Sequence, residues 1–155
     1  MMYRSYLVTG ATGFLGSAVV KRLTQAGQSV RALVLPGDPQ AVGLPPAVEQ
    51  VSGGLDRPET LEALFRGAGE GTCVIHCAGL ISIASHTRQG MERLWKVNVE
   101  GTRAVARLSA QQGVSKLVYV SSVHAIPELP DGAEMAEPER FDPALVEGSW
   151  RSPPP

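Results

Sequence analysis

Net charge is close to absent from this chain. Its 14 lysines and arginines against 15 aspartates and glutamates leave a formal charge of -1, with the signs scattered along the sequence. That balance provides neither a basic stripe for nucleic acid nor an acidic tail. Long apolar runs are missing as well: no stretch approaches the roughly 20 residues of a membrane-spanning helix. The opening MMYRSYLV lacks the apolar region and cleavage site of a leader, so a cytoplasmic location without a membrane partner is expected. Cysteine is scarce, with only Cys73 and Cys77, which stand near His76. On a strand the two thiols share one face while His76 points to the other, a poor ligand set, so two small buried thiols and no metal are expected. At 155 residues, 43% of them hydrophobic, the chain has enough for one core and little for a second domain.

What is present is organised around residues 6–16, YLVTGATGFLG. The apolar Tyr6, Leu7 and Val8 read as a buried strand that stops at Thr9. Gly10, Gly13 and Gly16 follow, and an amphipathic pattern over residues 14–25 reads as a helix. In that order each glycine has a physical task. Gly10 permits the tight turn off the strand, Gly13 allows a phosphate close to the backbone, and Gly16 lets the helix pack on the sheet. The amides of Phe14, Leu15 and Gly16 would face a pyrophosphate at the positive end of the helix dipole. An ordinary strand-to-helix turn is the alternative reading of the same residues.

The rest of the chain alternates in kind. Strands are expected at residues 28–35, 48–51, 72–77 and 116–121. A helix begins near Pro58, with Leu61, Leu64 and Phe65 on its apolar face, and one long helix is expected over residues 91–112. Residues 38–46 and 79–90 read as loops, the latter with Leu80, Ile81 and Ile83 able to border a cleft. Arg31 falls within a strand and reads as a solvated or edge side chain. His76 reads as a packed or hydrogen-bonded histidine, with a catalytic base as the alternative.

Five motifs in this order, TGATGFLG, GGLDRPETL, HCAG, WKVNVEGT and KLVYVSS, resemble those of the extended short-chain dehydrogenase/reductases. That family contains nucleotide-sugar epimerases, dihydroflavonol reductases and hydroxysteroid dehydrogenases. The resemblance covers residues 4–126 and implies the α/β class: a Rossmann-type, doubly wound parallel sheet, here truncated after about five strands. It implies NAD or NADP as cofactor, the preference open, with Gly10, Thr12, Gly13, Phe14, Leu15, Gly16, Leu55, Ala78 and Gly79 in the binding set. Asp38 stands just past the second strand, either as a ribose ligand or as a turn residue. Leu35 occupies a position that is arginine in many members. Gly54 stands where the family carries an acidic residue against the adenine amine, so adenine contact is expected to be weaker or rearranged. Asn98 matches an asparagine that braces the active-site region, a polar helix residue being the alternative. Ser122, with Ser121 as alternate, matches the catalytic serine or threonine.

The family's tyrosine with a lysine four residues on is missing. Tyr3, Tyr6 and Tyr119 are followed at that spacing by Leu7, Gly10 and Val123. Residues 127–155, rich in proline and acid, are expected to form a poorly ordered tail that builds neither the tyrosine helix nor a sixth strand. The expectation is therefore a cofactor-binding part that is inactive alone, with a non-catalytic sensing or interaction module as the alternative. Oxidoreductase, epimerase or dehydratase chemistry, acting on a small-molecule substrate, would belong to a full-length form, and the oligomeric state stays open.

Overall fold

The computed structural model describes residues 3–81 and 87–122. Ile83, His124 and the expected tail over residues 127–155 lie outside the described residues. Residues 3–119 belong to one compact unit, and Val120, Ser121 and Ser122 to the unit that follows.

The first unit is a parallel sheet in the order β3-β2-β1-β4-β5. Its strands are β1 (Ser5–Thr9), β2 (Val30–Val34), β3 (Glu49–Ser52), β4 (Thr72–His76) and β5 (Lys116–Tyr119). Val8 lies level with Ala32 on one side and Ile75 on the other. Helix α1 (Phe14–Gln25) follows β1, and the short α2 (Leu61–Phe65) follows β3 behind a 3-10 turn, Pro58–Thr60. Between β4 and β5 come α3 (Arg88–Trp95), a π-helical segment (Lys96–Gly101) and α4 (Thr102–Gln111).

Side chains alternate across a strand, and here both faces are covered. Leu7, Leu33 and Val74 pack with Leu61, Leu64, Phe65, Val105 and Leu108 under α2 and α4. Val8, Ala32 and Val34 pack with Val20, on α1, and with Leu44 and Val48 on the other face. Burying each large apolar side chain contributes about 1.5–3 kcal/mol before chain entropy is counted.

Two local expectations change. The single helix over residues 91–112 starts earlier, at Arg88, and is interrupted by the π-helical turn. Arg31 is not on an edge, because β2 lies inside the sheet, and its side chain is only partly exposed. Its guanidinium donates from Nη1 to the carbonyls of Leu64 (3.0 Å) and Arg66 (2.6 Å), and its Nε pairs with Glu49 Oε2 at 2.8 Å. The cation thus closes the carboxyl end of α2, where unpaired carbonyls favour positive charge.

The connections from β1 run outward through β2 to β3, while β4 and β5 extend the other way. The order of the sheet therefore reverses between β1 and β4, and in open sheets of this kind the crevice outside those strand ends is where ligands bind.

Candidate functional site

At the reversal point the turn after β1 is pressed against the exit of β4. Gly10 has φ +69°, and a Cβ placed on it would lie 2.7 Å from the backbone nitrogen of Ala78. Any side chain would be strained there and would push the two strand ends apart. Gly16 is buried in the first turn of α1, and its Cβ would lie 1.9 Å from Gly10 O. The helix can approach the sheet this closely only at a glycine. Gly13 is different: exposed, it meets only Gly10 O at 3.3 Å. Gly13 is also the N-cap of α1 and supplies no side-chain cap. The first-turn amides of Phe14, Leu15 and Gly16 therefore face outward without an intrahelical acceptor, at the positive end of a twelve-residue helix. Thr12 is half-buried beside them, and Phe14 is fully exposed. Such a cradle fits an anionic phosphate ester.

A buried network holds this turn from behind. His76, at the end of β4, is 1% exposed. Its Nδ1 lies 2.5 Å from Thr9 Oγ1 and its Nε2 lies 2.9 Å from Thr102 Oγ1. Thr9 Oγ1 also accepts from the amide of Ala78 at 3.4 Å. Tyr119 stacks on the imidazole with centroids 5.4 Å apart. Burial lowers the His76 pKa to about 4, so the ring is neutral at physiological pH. This is the hydrogen-bonded histidine expected from the sequence. Its partners Thr9 and Thr102 were not, although a threonine closing β1 level with His76 in the register is the signal that could have found the first.

Beyond β4 the chain passes Ala78 and Gly79 and is clasped by Asn98 from the π-helical segment. Asn98 Oδ1 accepts from the amide of Leu80 at 2.8 Å, and its Nδ2 donates to the Leu80 carbonyl at 2.9 Å. The same side chain lies 3.5 Å from where a Gly79 Cβ would be, an ordinary contact distance. The π-helical turn brings Asn98 to this loop, and such turns recur at functional sites.

On the other side of the glycine turn lie the ends of β2 and β3. Leu35 is 55% exposed. Asp38 Oδ1 accepts from the amide of Gln40 at 2.9 Å and so caps a 3-10 turn, Pro39–Gly43, leaving its second carboxylate oxygen for another donor. Gly53 N donates to Val34 O at 2.9 Å and ties β3 to β2. Leu55 is 5% exposed and packs in the core.

The structure therefore gathers Gly10, Gly16, Ala78, Gly79 and Asn98 at one crevice, with Asp38 and Leu55 on the neighbouring strand ends. Ser121 and Ser122 follow β5 in the second unit, and both are exposed.

The model of the NAD dependent epimerase/dehydratase family matches residues 6–145. Sterol demethylase protein B of Methylococcus capsulatus is 35% identical over 127 residues, covering 82% of this chain and 37% of its own length. Ceramide reductase of Caulobacter vibrioides is 38% identical over 118 residues, covering 76% and 34%. The crystal structure of the Thermus thermophilus UDP-glucose 4-epimerase complex with NAD superposes with a TM-score of 0.71 at 28% identity, over 86% of this chain and 42% of that one. The chain thus spans about a third of the length of these curated relatives. With the family model matched over most of its residues, this chain belongs to the NAD-dependent epimerase/dehydratase family.

Proposed function

We propose that this chain binds a nicotinamide dinucleotide, NAD or NADP, across the carboxyl ends of β3, β2, β1 and β4. The observation that carries this reading is the turn from Gly10 to the first turn of α1, where backbone amides are uncapped and side chains are excluded by distances of 2.7 Å and 1.9 Å. The pyrophosphate would accept from the amides of Phe14, Leu15 and Gly16. Thr12 would flank it, and Ala78 and Gly79 would pass under the nicotinamide half. Asn98 would keep that loop in place through its two bonds to Leu80. Asp38 would offer its second oxygen to the adenine ribose. The fully exposed Phe14 and the half-exposed Leu15 would rim the entrance.

When bound, the nicotinamide supplies hydride acceptance or donation. Within a full-length form the reaction would be oxidation or reduction of a carbinol or ketone, with epimerase or dehydratase chemistry as variants on a small-molecule substrate. Ser122, or Ser121, would donate a hydrogen bond to the substrate's carbonyl oxygen as negative charge develops on it. This chain contains no tyrosine with lysine at the fourth following position. We therefore take binding, without turnover, as the activity of these residues. The scattered charges, summing to -1, offer no basic stripe for a nucleic-acid partner.

A second reading, a non-catalytic module that senses the dinucleotide, is favoured by the same missing pair. Calorimetric titration with NAD and NADP, paired with an assay for reduction of simple ketones, tests both. Saturable binding without turnover is expected. Turnover abolished by Ser122→Ala would exclude the sensing module, and the absence of heat with either dinucleotide would overturn the binding assignment.

A further inference from the structure

The order of the sheet divides a bound dinucleotide. With its pyrophosphate on the turn after β1, one half lies over the end of β2 and the other, the nicotinamide half, must run over the exit of β4. The backbone it meets there begins at Ala78. The amide of Ala78 is closely confined. A Cβ on Gly10 would lie 2.7 Å from this nitrogen, and Thr9 Oγ1 receives its hydrogen bond at 3.4 Å.

The protons of the network behind it can be placed one after another. A backbone amide only donates, so Thr9 Oγ1 is the acceptor in its contact with Ala78. Thr9 is fully buried, and its one hydroxyl proton has Nδ1 of His76, at 2.5 Å, as partner. That nitrogen therefore carries no proton. Burial keeps the ring neutral, so its proton sits on Nε2 and is donated to Thr102 Oγ1 at 2.9 Å. The ring plane is fixed as well. Thr9 stands level with His76 on one side, and Tyr119, level with it on β5, stacks against the imidazole. At 1% exposure His76 is too deep to touch a ligand itself.

Building on the proposed binding of a dinucleotide, we propose that His76 is a positioning residue for the nicotinamide half: its unprotonated Nδ1 turns the Thr9 hydroxyl so that a lone pair faces the Ala78 amide, which sets the strand exit on which that half rests. The adenosine half, on the other side of the turn, makes no use of this chain of bonds. A proton on Nδ1 would occupy a lone pair of Thr9 and leave the hydroxyl hydrogen without a partner in a buried place.

The test is calorimetric titration of the full chain with NAD and with ADP-ribose, which lacks the nicotinamide. The wild type should bind NAD about tenfold more tightly. In His76→Gln the side-chain amide reaches the place of Nε2 and leaves Thr9 without its acceptor. NAD should then weaken about tenfold, as for one misplaced hydrogen bond, and ADP-ribose by less than about twofold. In His76→Asn the amide takes the place of Nδ1 and its oxygen accepts from Thr9, so the wild-type ratio should return although the bond to Thr102 is lost. An unchanged ratio in His76→Gln, or an equal loss of NAD affinity in the two variants, leaves His76 a structural residue only and overturns the proposal. A second measurement needs no variant. Nitrogen NMR of the labelled wild type should show His76 protonated at Nε2 and bare at Nδ1, and a proton on Nδ1 overturns the proposal. A wild type that binds NAD and ADP-ribose equally also overturns it and leaves dinucleotide binding standing. A wild type that binds neither overturns both.

Discussion

His76 is neutral because burial costs the imidazolium its hydration. Its pKa falls from 6.5 in the unfolded chain to about 4 in the folded one, so between those values the unfolded state holds more protons. Stability from this residue is full above pH 6.5 and is lost as pH falls towards about 4, amounting to about 3 kcal/mol over the window. Urea denaturation at neutral and at mildly acid pH should show this loss in the wild type, and His76→Gln should lack most of it. Asn98 offers a second residue-scale check. Its replacement by alanine leaves the amide and carbonyl of Leu80 without partners, which should cost about 1–3 kcal/mol in the same assay. Dinucleotide affinity should fall with it if the loop carries the nicotinamide half. His76 was legible as a hydrogen-bonded residue because an apolar strand leaves a histidine no other way to be buried. The closeness of the Asp56 carboxylate to Gly54, 2.6 Å from where a Cβ would lie, was not legible, since it depends on the tight turn between them and no spacing rule reports it.

Among the elements, α1 could be read to the residue. Glycines bound its start, its apolar positions recur at helical spacing, and the structure gives Phe14–Gln25. The interruption of the long helix could not be read, because the apolar spacing of residues 94–105 suits a continuous helix as well as one with a π-helical turn. What selects the turn is tertiary. It delivers Asn98 to Leu80, and it lets Gly101 approach Leu55, where an added Cβ would come within 2.6 Å of the leucine's Cβ. Arg31 was misjudged for the same kind of reason: its acceptors are carbonyls at the end of α2, more than thirty residues away. The glycine turn itself makes a graded prediction. Gly16→Ala drives a methyl to within 1.9 Å of Gly10 O and should destabilise the unit by about 1–3 kcal/mol or more. Gly13→Ala, whose Cβ would meet only Gly10 O at 3.3 Å, should cost less stability while still weakening phosphate binding. Melting curves and titrations on the two variants separate packing from approach.

At the scale of the sheet, β3 and β5 are the outer strands among the described residues. On β5, Val118 and Tyr119 are 39% and 53% exposed. A hydrophobic dye should bind this apolar surface, with Val118→Lys lowering the signal. No helix among the described residues is long and apolar enough to cross a membrane. The central claim concerns the opposite, well-packed part of the sheet: the amides after β1 hold the phosphates of a dinucleotide. Heteronuclear NMR of the labelled chain during titration with NAD tests it most directly. The largest shift changes should fall on the amides of Phe14, Leu15 and Gly16, with smaller ones at Ala78 and Gly79. Unchanged amides in that turn at saturating NAD, or changes confined to other parts of the chain, would contradict it.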